Sequence, residues 1–210
     1  MAEYSSIAII VPTLNRQPFL LRTVEYYVHL NLSLNLFVGD STHEALQIPA
    51  RLRCLIRQSS LNLFYYHIPG LNDRQAISYL AEQVNSCGID FIAFHGDDDY
   101  FVPETLLDCS NFLDINPEYT SAQGCACTIS LHKAGPYGAL TNITKYWHAP
   151  SLQAQCPVQR LNDFADSYFV LQFSVHRTRE FLNSCFEYQH VPDLLWAELF
   201  HCFYLALQGK

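Results

Sequence analysis

Apolar runs that stop abruptly in polar loops alternate with helix-period stretches through the first half of the chain. Residues 7–11 are a β-branched run closed by Pro12-Thr13-Leu14-Asn15-Arg16, the pattern of a buried strand opening into a polar loop. Leu21, Val24 and Val28 then recur at helical spacing with Arg22, Glu25 and His29 between them, and Pro18 suits the first turn. Residues 34–38 predict a second strand ending in Gly39-Asp40-Ser41-Thr42. Residues 61–68 predict a third, broken by Pro69-Gly70 before Asn72-Asp73-Arg74-Gln75 opens a helix. Ile77, Leu80, Ala81 and Val84 form that helix's apolar stripe, and Cys87-Gly88 ends it. The run Phe91-Ile92-Ala93-Phe94 reads as a buried central strand, and it stops at His95-Gly96-Asp97-Asp98-Asp99. Residues 103–115 predict a helix with Leu106, Cys109, Ser110 and Leu113 on one side, stopped by Asn116-Pro117.

Such alternation predicts an α/β fold, a mostly parallel sheet between helices on both faces, in three layers. After Tyr119 the texture changes. Residues 121–131 predict a strand, 168–176 another, 178–186 a short helix, and 192–207 a helix apolar around most of its circumference. Residues 133–166, rich in Gly, Pro and polar residues, show no period that assigns them. Without an internal repeat or a linker, residues 1–210 read as a single domain in two halves, 1–118 and 119–210.

Composition narrows the functional classes. With 50% hydrophobic and 15% charged residues in 210, a sizeable core is available and disorder is excluded. A net charge of −8, from 12 Lys and Arg against 20 Asp and Glu, argues against a nucleic-acid partner. The eight cysteines (Cys54, Cys87, Cys109, Cys125, Cys127, Cys156, Cys185, Cys202) include no Cys-x-x-Cys pair, and several stand where apolar residues are expected. They read as thiols of a reducing compartment. The run at residues 7–11 is too short for a signal or a spanning helix, so the expected location is cytoplasmic, with peripheral membrane contact left open. The sequons at Asn31 and Asn142 carry no weight without secretion.

The candidate chemistry sits at the strand ends. Three successive carboxylates repel one another unless a positive charge lies between them, and hard divalent cations prefer such oxygen ligands. A metal is therefore expected at residues 97–99, in the crevice where open α/β sheets bind ligands. The alternative is an acidic turn capping the next helix. The stretch from Pro12 to Pro18 contains no glycine, which removes the phosphate loop that a nucleotidyltransferase or a nicotinamide enzyme would place after its first strand.

Taken in order and spacing, Ile7-Ala-Ile-Ile-Val-Pro-Thr-Leu-Asn-Arg16, Val38-Gly-Asp-Ser-Thr42 and Gly96-Asp97-Asp98-Asp99 resemble three successive motifs of family 2 glycosyltransferases with the GT-A fold. The resemblance covers roughly the first 130 residues. It implies a nucleotide-diphosphate sugar donor bound by the half 1–118 and a glycan, lipid or protein acceptor met by the half 119–210. It further implies Mn²⁺ or Mg²⁺ held by Asp97 and Asp99, with Asp97 also a candidate for the ribose and Asp98 shared. Pro12, Thr13 and Asn15 would line the nucleotide pocket, Asp40 would hydrogen-bond the base, and Arg74 would stand near the phosphates. Simpler roles compete: Asn15 as a helix cap, Asp40 as a turn stabiliser, Arg74 as a solvated helix residue.

An inverting transferase of this kind needs a carboxylate near the acceptor hydroxyl, commonly the Asp of a Glu-Asp or Thr-Asp pair, and the late helix has no such pair. Glu198, the only acid between Leu194 and Leu207, is the first candidate because its neighbours one turn away include Leu194, Leu195 and Cys202. Asp193 is second, since an acid in a first turn is explained by the helix dipole alone. His132 and His148 are candidates for a late metal ligand. Tyr137, Tyr146 and Trp147 are candidates for a stacking surface or for satellite core. Members of the family often continue beyond the position of Lys210, so the chain is expected to be a fragment. The remaining alternatives are a GT-A domain that binds nucleotide-sugar or glycan without turnover, and a nucleotidyltransferase.

Overall fold

The computed structural model describes residues 6–145 and 150–210. Strand β1 (Ile7–Thr13) is buried at every position but Pro12, as a strand covered on both faces must be. It lies between β2 (Asn35–Asp40) and β4 (Phe91–Phe94) and runs parallel to both. With β3 (Asn62–His67), β5 (Ser121–Ala122) and β8 (Val175–Arg177) these strands form one sheet in the order β3-β2-β1-β4-β8-β5, in which β8 runs antiparallel to its neighbours β4 and β5.

Because side chains alternate along a strand, β1 feeds two cores. Ile7, Ile9 and Val11 meet α1 (Gln17–Leu30), α2 (Ala50–Gln58) and α4 (Pro103–Ile115) through Leu20, Val24, Tyr27, Leu52, Leu106 and Leu113. Ala8 and Ile10 meet α3 (Asp73–Ser86), α6 (Thr178–Tyr188) and α7 (Leu194–Gln208) through Ile77, Leu80, Val84, Phe181 and Ala197. The three-layer α/β/α expectation is borne out. Each fully buried aliphatic side chain contributes about 1.5–3 kcal/mol, so the two faces together fix the sheet's register. Cys109, Cys185 and Cys202 are buried among these apolar groups.

The second half departs from the sequence reading. Residues 121–131 are not one strand: β5 ends after Ala122 at the sheet edge, and β6 (Cys127–Leu131) pairs instead with β7 (Leu140–Lys145) in a separate antiparallel hairpin. Nor is 168–176 a strand. Phe169 and Leu171 turn into a third apolar cluster with Leu152, Phe164, Cys202 and Leu205, residues 171–173 make a 3-10 turn, and only the short β8 joins the sheet. The unassigned stretch contains β7 and α5 (Pro157–Asp166). From α5, buried Arg160 donates to Ala206 O and Leu207 O at 3.0 and 2.7 Å, satisfying carbonyls that the last turn of α7 would otherwise leave open. Among the described residues no helix is long and apolar enough to cross a membrane.

Candidate active site

Parallel pairing brings the carboxyl ends of β2, β1 and β4 to one edge. Thr13 stands opposite Asp40 in the β1–β2 register, and Ile10 opposite Phe94 in the β1–β4 register, so the turn after Phe94 emerges beside Thr13. Thr13 Oγ1 donates to Asp97 Oδ2 at 2.6 Å and closes the join.

The acidic turn is clamped from beneath by α1. Thr23 Oγ1 donates to Asp97 O at 2.7 Å and Arg22 Nη2 to Asp98 O at 3.3 Å. Asp99 N–H donates to Gly96 O at 3.1 Å, which tightens the turn on itself. Burial lowers the pKa of His95 to about 4, so the ring is neutral near pH 7. A carbonyl only accepts, so the ring's Nδ1–H donates to Gly96 O at 2.6 Å, and Nε2 accepts from the Tyr27 hydroxyl at 2.8 Å. Tyr27 oxygen in turn accepts from Phe101 N at 3.1 Å. Both ends of the turn are thereby fixed to one buried tyrosine.

The positive charge that three carboxylates demand is supplied in part by the chain itself. Arg16 places Nε 3.2 Å from Asp97 Oδ1 and Nη2 2.7 Å from Asp98 Oδ2. Its hydrogen bond to Asp98 raises the Arg16 pKa. Burial, then the neighbouring Asp98, raise the carboxyl of Asp97 against the opposing pull of Thr13 and Arg16. For Asp99, whose tip is exposed but whose surroundings are crowded, desolvation and then the charges of Asp98 and Asp97 raise it. A backbone hydrogen bond from Gly96 and the charge of Arg16 oppose that rise, and among the described residues no side chain hydrogen-bonds the Asp99 carboxylate. A Cβ on Gly96 would stand 3.2 Å from Asp98 Oδ1 and 3.5 Å from Asp99 Oδ2, so those two carboxylates lean over the same glycine.

These residues fit a hard divalent ion. Among the described residues no three His, Cys, Asp or Glu side chains make a ready cage. Mg²⁺-like ions do not require one, since they keep several waters and take one or two carboxylates plus substrate phosphates. Asp99, with its open oxygens and its destabilised negative charge, answers that description best. Each Asp97 oxygen retains a lone pair beyond its protein partner.

Along the β1–β2 wall the outcome is mixed. Pro12 is the partly exposed residue of β1. Asn15 adopts a left-handed backbone, φ 56°, and its N–H donates to Thr42 Oγ1 at 2.9 Å. It does not cap α1: the N-cap position is Arg16, with no side-chain cap bond. Asp40 is fully buried, accepting from the Tyr65 hydroxyl at 2.8 Å and from Thr42 N at 3.0 Å, the partners of a turn stabiliser. Tyr65, which burial and this carboxylate push up to about 12, is one of its fixed donors. Arg74 is not a solvated helix residue: it is 8% exposed in the first turn of α3, its Nε and Nη1 have no hydrogen-bond partner among the described residues, and the Asp73 carboxylate stands 3.9 Å from Nη1. Ser41 Oγ at the end of β2 is likewise buried without a partner among the described residues.

The second half contributes from α6 and α7. Strand β8 ends beside Phe91, at the far edge of the sheet, so α6 runs back and brings Tyr188 against the first turn of α3, where Asp73 and Arg74 act on its hydroxyl. Asp193 follows five positions later as the N-cap of α7, exposed, with Oδ1 accepting from Trp196 N at 3.0 Å. Glu198 is half-buried and accepts from the Tyr168 hydroxyl at 2.9 Å. Tyr137 is exposed and donates to Glu25 Oε2 at 3.2 Å, and the carbonyl of Pro136 before it accepts from Arg22. His132 is exposed in the β6–β7 connection. Tyr146, Trp147 and His148 lie outside the described residues. A cavity of about 470 Å³, lined by residues such as Asp108, Phe112, Tyr119, Gln123 and Leu171, opens on the β5 side of α4 and contains none of the predicted site residues.

Sequence reasoning missed the supports of this site, Arg16, Arg22, Thr23, Tyr27 and His95. Arg16 alone had a usable signal, a cation beside the first motif in a chain with only 12 Lys and Arg.

Comparison with solved structures matches this arrangement to S. aureus TarS. The TarS 1–349 crystal structure superposes with a TM-score of 0.55 at 14% identity, covering 94% of this chain and 54% of that one. The fold is that of the GT-A glycosyltransferases. TarS 1–349 in complex with UDP superposes with a TM-score of 0.51 at 15% identity, covering 93% and 53%. The chain thus spans about half the length of the TarS structures it matches. A 4-diphosphocytidyl-2C-methyl-D-erythritol synthase aligns more loosely, with a TM-score of 0.46 at 8% identity over 92% of this chain and 83% of that one. No protein-family profile and no curated protein sequence matches the chain.

Proposed function

We propose that the chain is a metal-dependent glycosyltransferase domain that moves a sugar from a nucleotide-diphosphate sugar to an acceptor. The observation that carries this reading is the acidic turn, with an exposed Asp99 whose carboxylate no side chain engages among the described residues, at the strand edge shared by Thr13 and Asp40. Support comes from Arg74, because a buried guanidinium with open nitrogens is costly unless an anion completes it. The neighbour with bound UDP makes a uridine diphosphate donor the first to try.

In this reading Asp97 and Asp99 hold Mn²⁺ or Mg²⁺, which supplies charge stabilisation to the departing diphosphate. Arg74 and Ser41 bind phosphate or ribose oxygens, and Thr13 and Asn15 line the nucleotide. Asp40 orients the base through the partners it already holds. For the proton of the acceptor hydroxyl, position favours Asp193 over Glu198. Asp193 follows Tyr188 of the α3–α6 contact by five positions with Oδ2 uncommitted among the described residues, whereas Glu198 lies about 7.5 Å further along the helix and is engaged by Tyr168. The outcome is inverting in this scheme.

The test is release of nucleoside diphosphate from UDP-sugars with and without candidate acceptors, beside thermal shift with UDP and Mn²⁺. Stabilisation together with acceptor-dependent release supports a transferase. Stabilisation without release under any acceptor supports a binding domain, and absence of both sinks the donor site.

A further inference from the structure

The neighbour of the acidic turn with the least settled role is Arg16. Its side chain is 43% exposed and caps no N–H of α1, and its guanidinium carbon lies 4.3 Å from the Phe19 ring centroid. One of its two carboxylate partners, Asp97, is a ligand proposed for the ion, and the other, Asp98, stands beside it: Nε takes Asp97 Oδ1 and Nη2 takes Asp98 Oδ2. The arm to Asp98, exposed on both sides, is weakly held, and the arm to the buried Asp97 is the one a metal ion must displace. A doubly charged ion with the same oxygens in reach outcompetes it.

An arginine released from those acids does not travel far. It stays on the loop between β1 and α1, next to Asn15 and Gln17, the latter 3.4 Å from Asp40 Oδ2, with the Phe19 face beside it. α1 begins there with no acid in its first turn, so nothing on that helix end repels an anion. The charge bookkeeping agrees. Three carboxylates with Arg16 are left net negative, and a divalent ion cancels that charge, after which nothing in the turn repels a diphosphate. The planar fork of arginine suits paired phosphate oxygens.

We propose that Arg16 is an exchangeable cation of the donor site. It neutralises Asp97 and Asp98 before the ion arrives, yields Asp97 to the ion, lets go of Asp98, and turns to bind the diphosphate of the nucleotide-sugar. This rests on the donor-site reading above and adds the order of events, with the ion preceding the nucleotide.

Arg16→Gln separates the two contributions, and calorimetry with Mn²⁺ alone and then UDP at saturating Mn²⁺ reads them. Removing a competitor tightens Mn²⁺ binding, by about fivefold for a pair this exposed. Removing a diphosphate ligand weakens UDP binding, by about tenfold. Unchanged or weaker Mn²⁺ affinity in the variant overturns the exchange, as does unchanged UDP affinity. If the unaltered protein binds Mn²⁺ and UDP normally and the variant differs in neither, this proposal falls alone. If the unaltered protein binds neither, the donor-site reading falls with it. The Arg16 Nε–Hε resonance gives a second readout without a substitution. It should move on addition of Mg²⁺ and again on addition of UDP, and a resonance indifferent to both refutes the exchange.

Discussion

The two sheets of this molecule obey opposite rules. In the six-stranded sheet, β1, β2 and β4 are buried almost throughout, and the polar groups at their carboxyl ends are held by several partners each. In the β6–β7 hairpin nearly every residue is exposed, including the cross-strand pair Ile129 and Ile143 at 47% and 59%. A lone two-stranded ribbon is marginal in water, so the hairpin depends on its tethers, Arg22 to Pro136 and Tyr137 to Glu25. The contrast teaches that the geometry of the acidic turn is built into the core, while the hairpin is laid on the surface with little packing behind it.

The largest effect that sharpens this contrast is chemical. Asp193→Asn retains the cap, since Asn and Asp serve equally at that position, but removes the carboxylate proposed as proton acceptor. We expect turnover to fall by about 10²- to 10⁴-fold with the melting temperature unchanged. Glu198→Gln, which keeps an acceptor for Tyr168, should leave turnover within about threefold. The reverse pattern in a nucleoside diphosphate release assay would restore Glu198 as the base. On the donor side, Asp99→Asn should weaken Mn²⁺ binding by at least about tenfold, read by calorimetry, because the amide keeps the shape and loses the charge.

Stability should divide between the sheets in the same way. Leu36→Ala in β2, a fully buried position, should cost about 2–5 kcal/mol in denaturant unfolding. Acid should act through the core as well. His95 and His176 are both lowered to about 4 by burial, against an unfolded value near 6.5. The unfolded chain therefore binds more protons between those values, and the stability present above pH 6.5 is lost as pH falls toward 4, by roughly 3 kcal/mol per histidine. A melting temperature flat from pH 7 to 5 would contradict the neutral His95 that clamps the acidic turn. The smallest effect belongs to the hairpin. Ile143→Ala should change stability by no more than about 0.5 kcal/mol, and a larger loss would mean that the hairpin is packed in solution.

The same contrast explains what was legible beforehand. Strands β1 to β4 with α1, α3 and α4 are readable because burial on both faces forces long apolar runs and clean helical stripes. Helix α2 was missed because Leu52 is its one buried residue. Hairpin strand β7 faces water throughout, and a bulge between Ser130 and Leu131 shifts its alternation, so period two never forms. Residues 168–176 misled in the opposite sense: Phe169 and Leu171 are apolar because a third cluster needs them. At the site, the acids, Thr13 and Asp40 stood out by their place at strand ends. The clamp through Tyr27 and His95 arises from contacts 68 and 74 positions apart in the chain, and Arg74 meets Tyr188 from still further along it, relations that no local pattern encodes.

The N-cap of α7 has an evolutionary consequence. Asn, Ser and Thr satisfy the Trp196 N–H about as well as Asp does, so selection for folding alone leaves position 193 free to drift among these residues. Selection for a proton acceptor admits only a carboxylate. On the role proposed for Asp193, the identity of that one residue across relatives of this chain should therefore sort lineages that transfer sugars from lineages that use the fold for binding alone, without any assay of either.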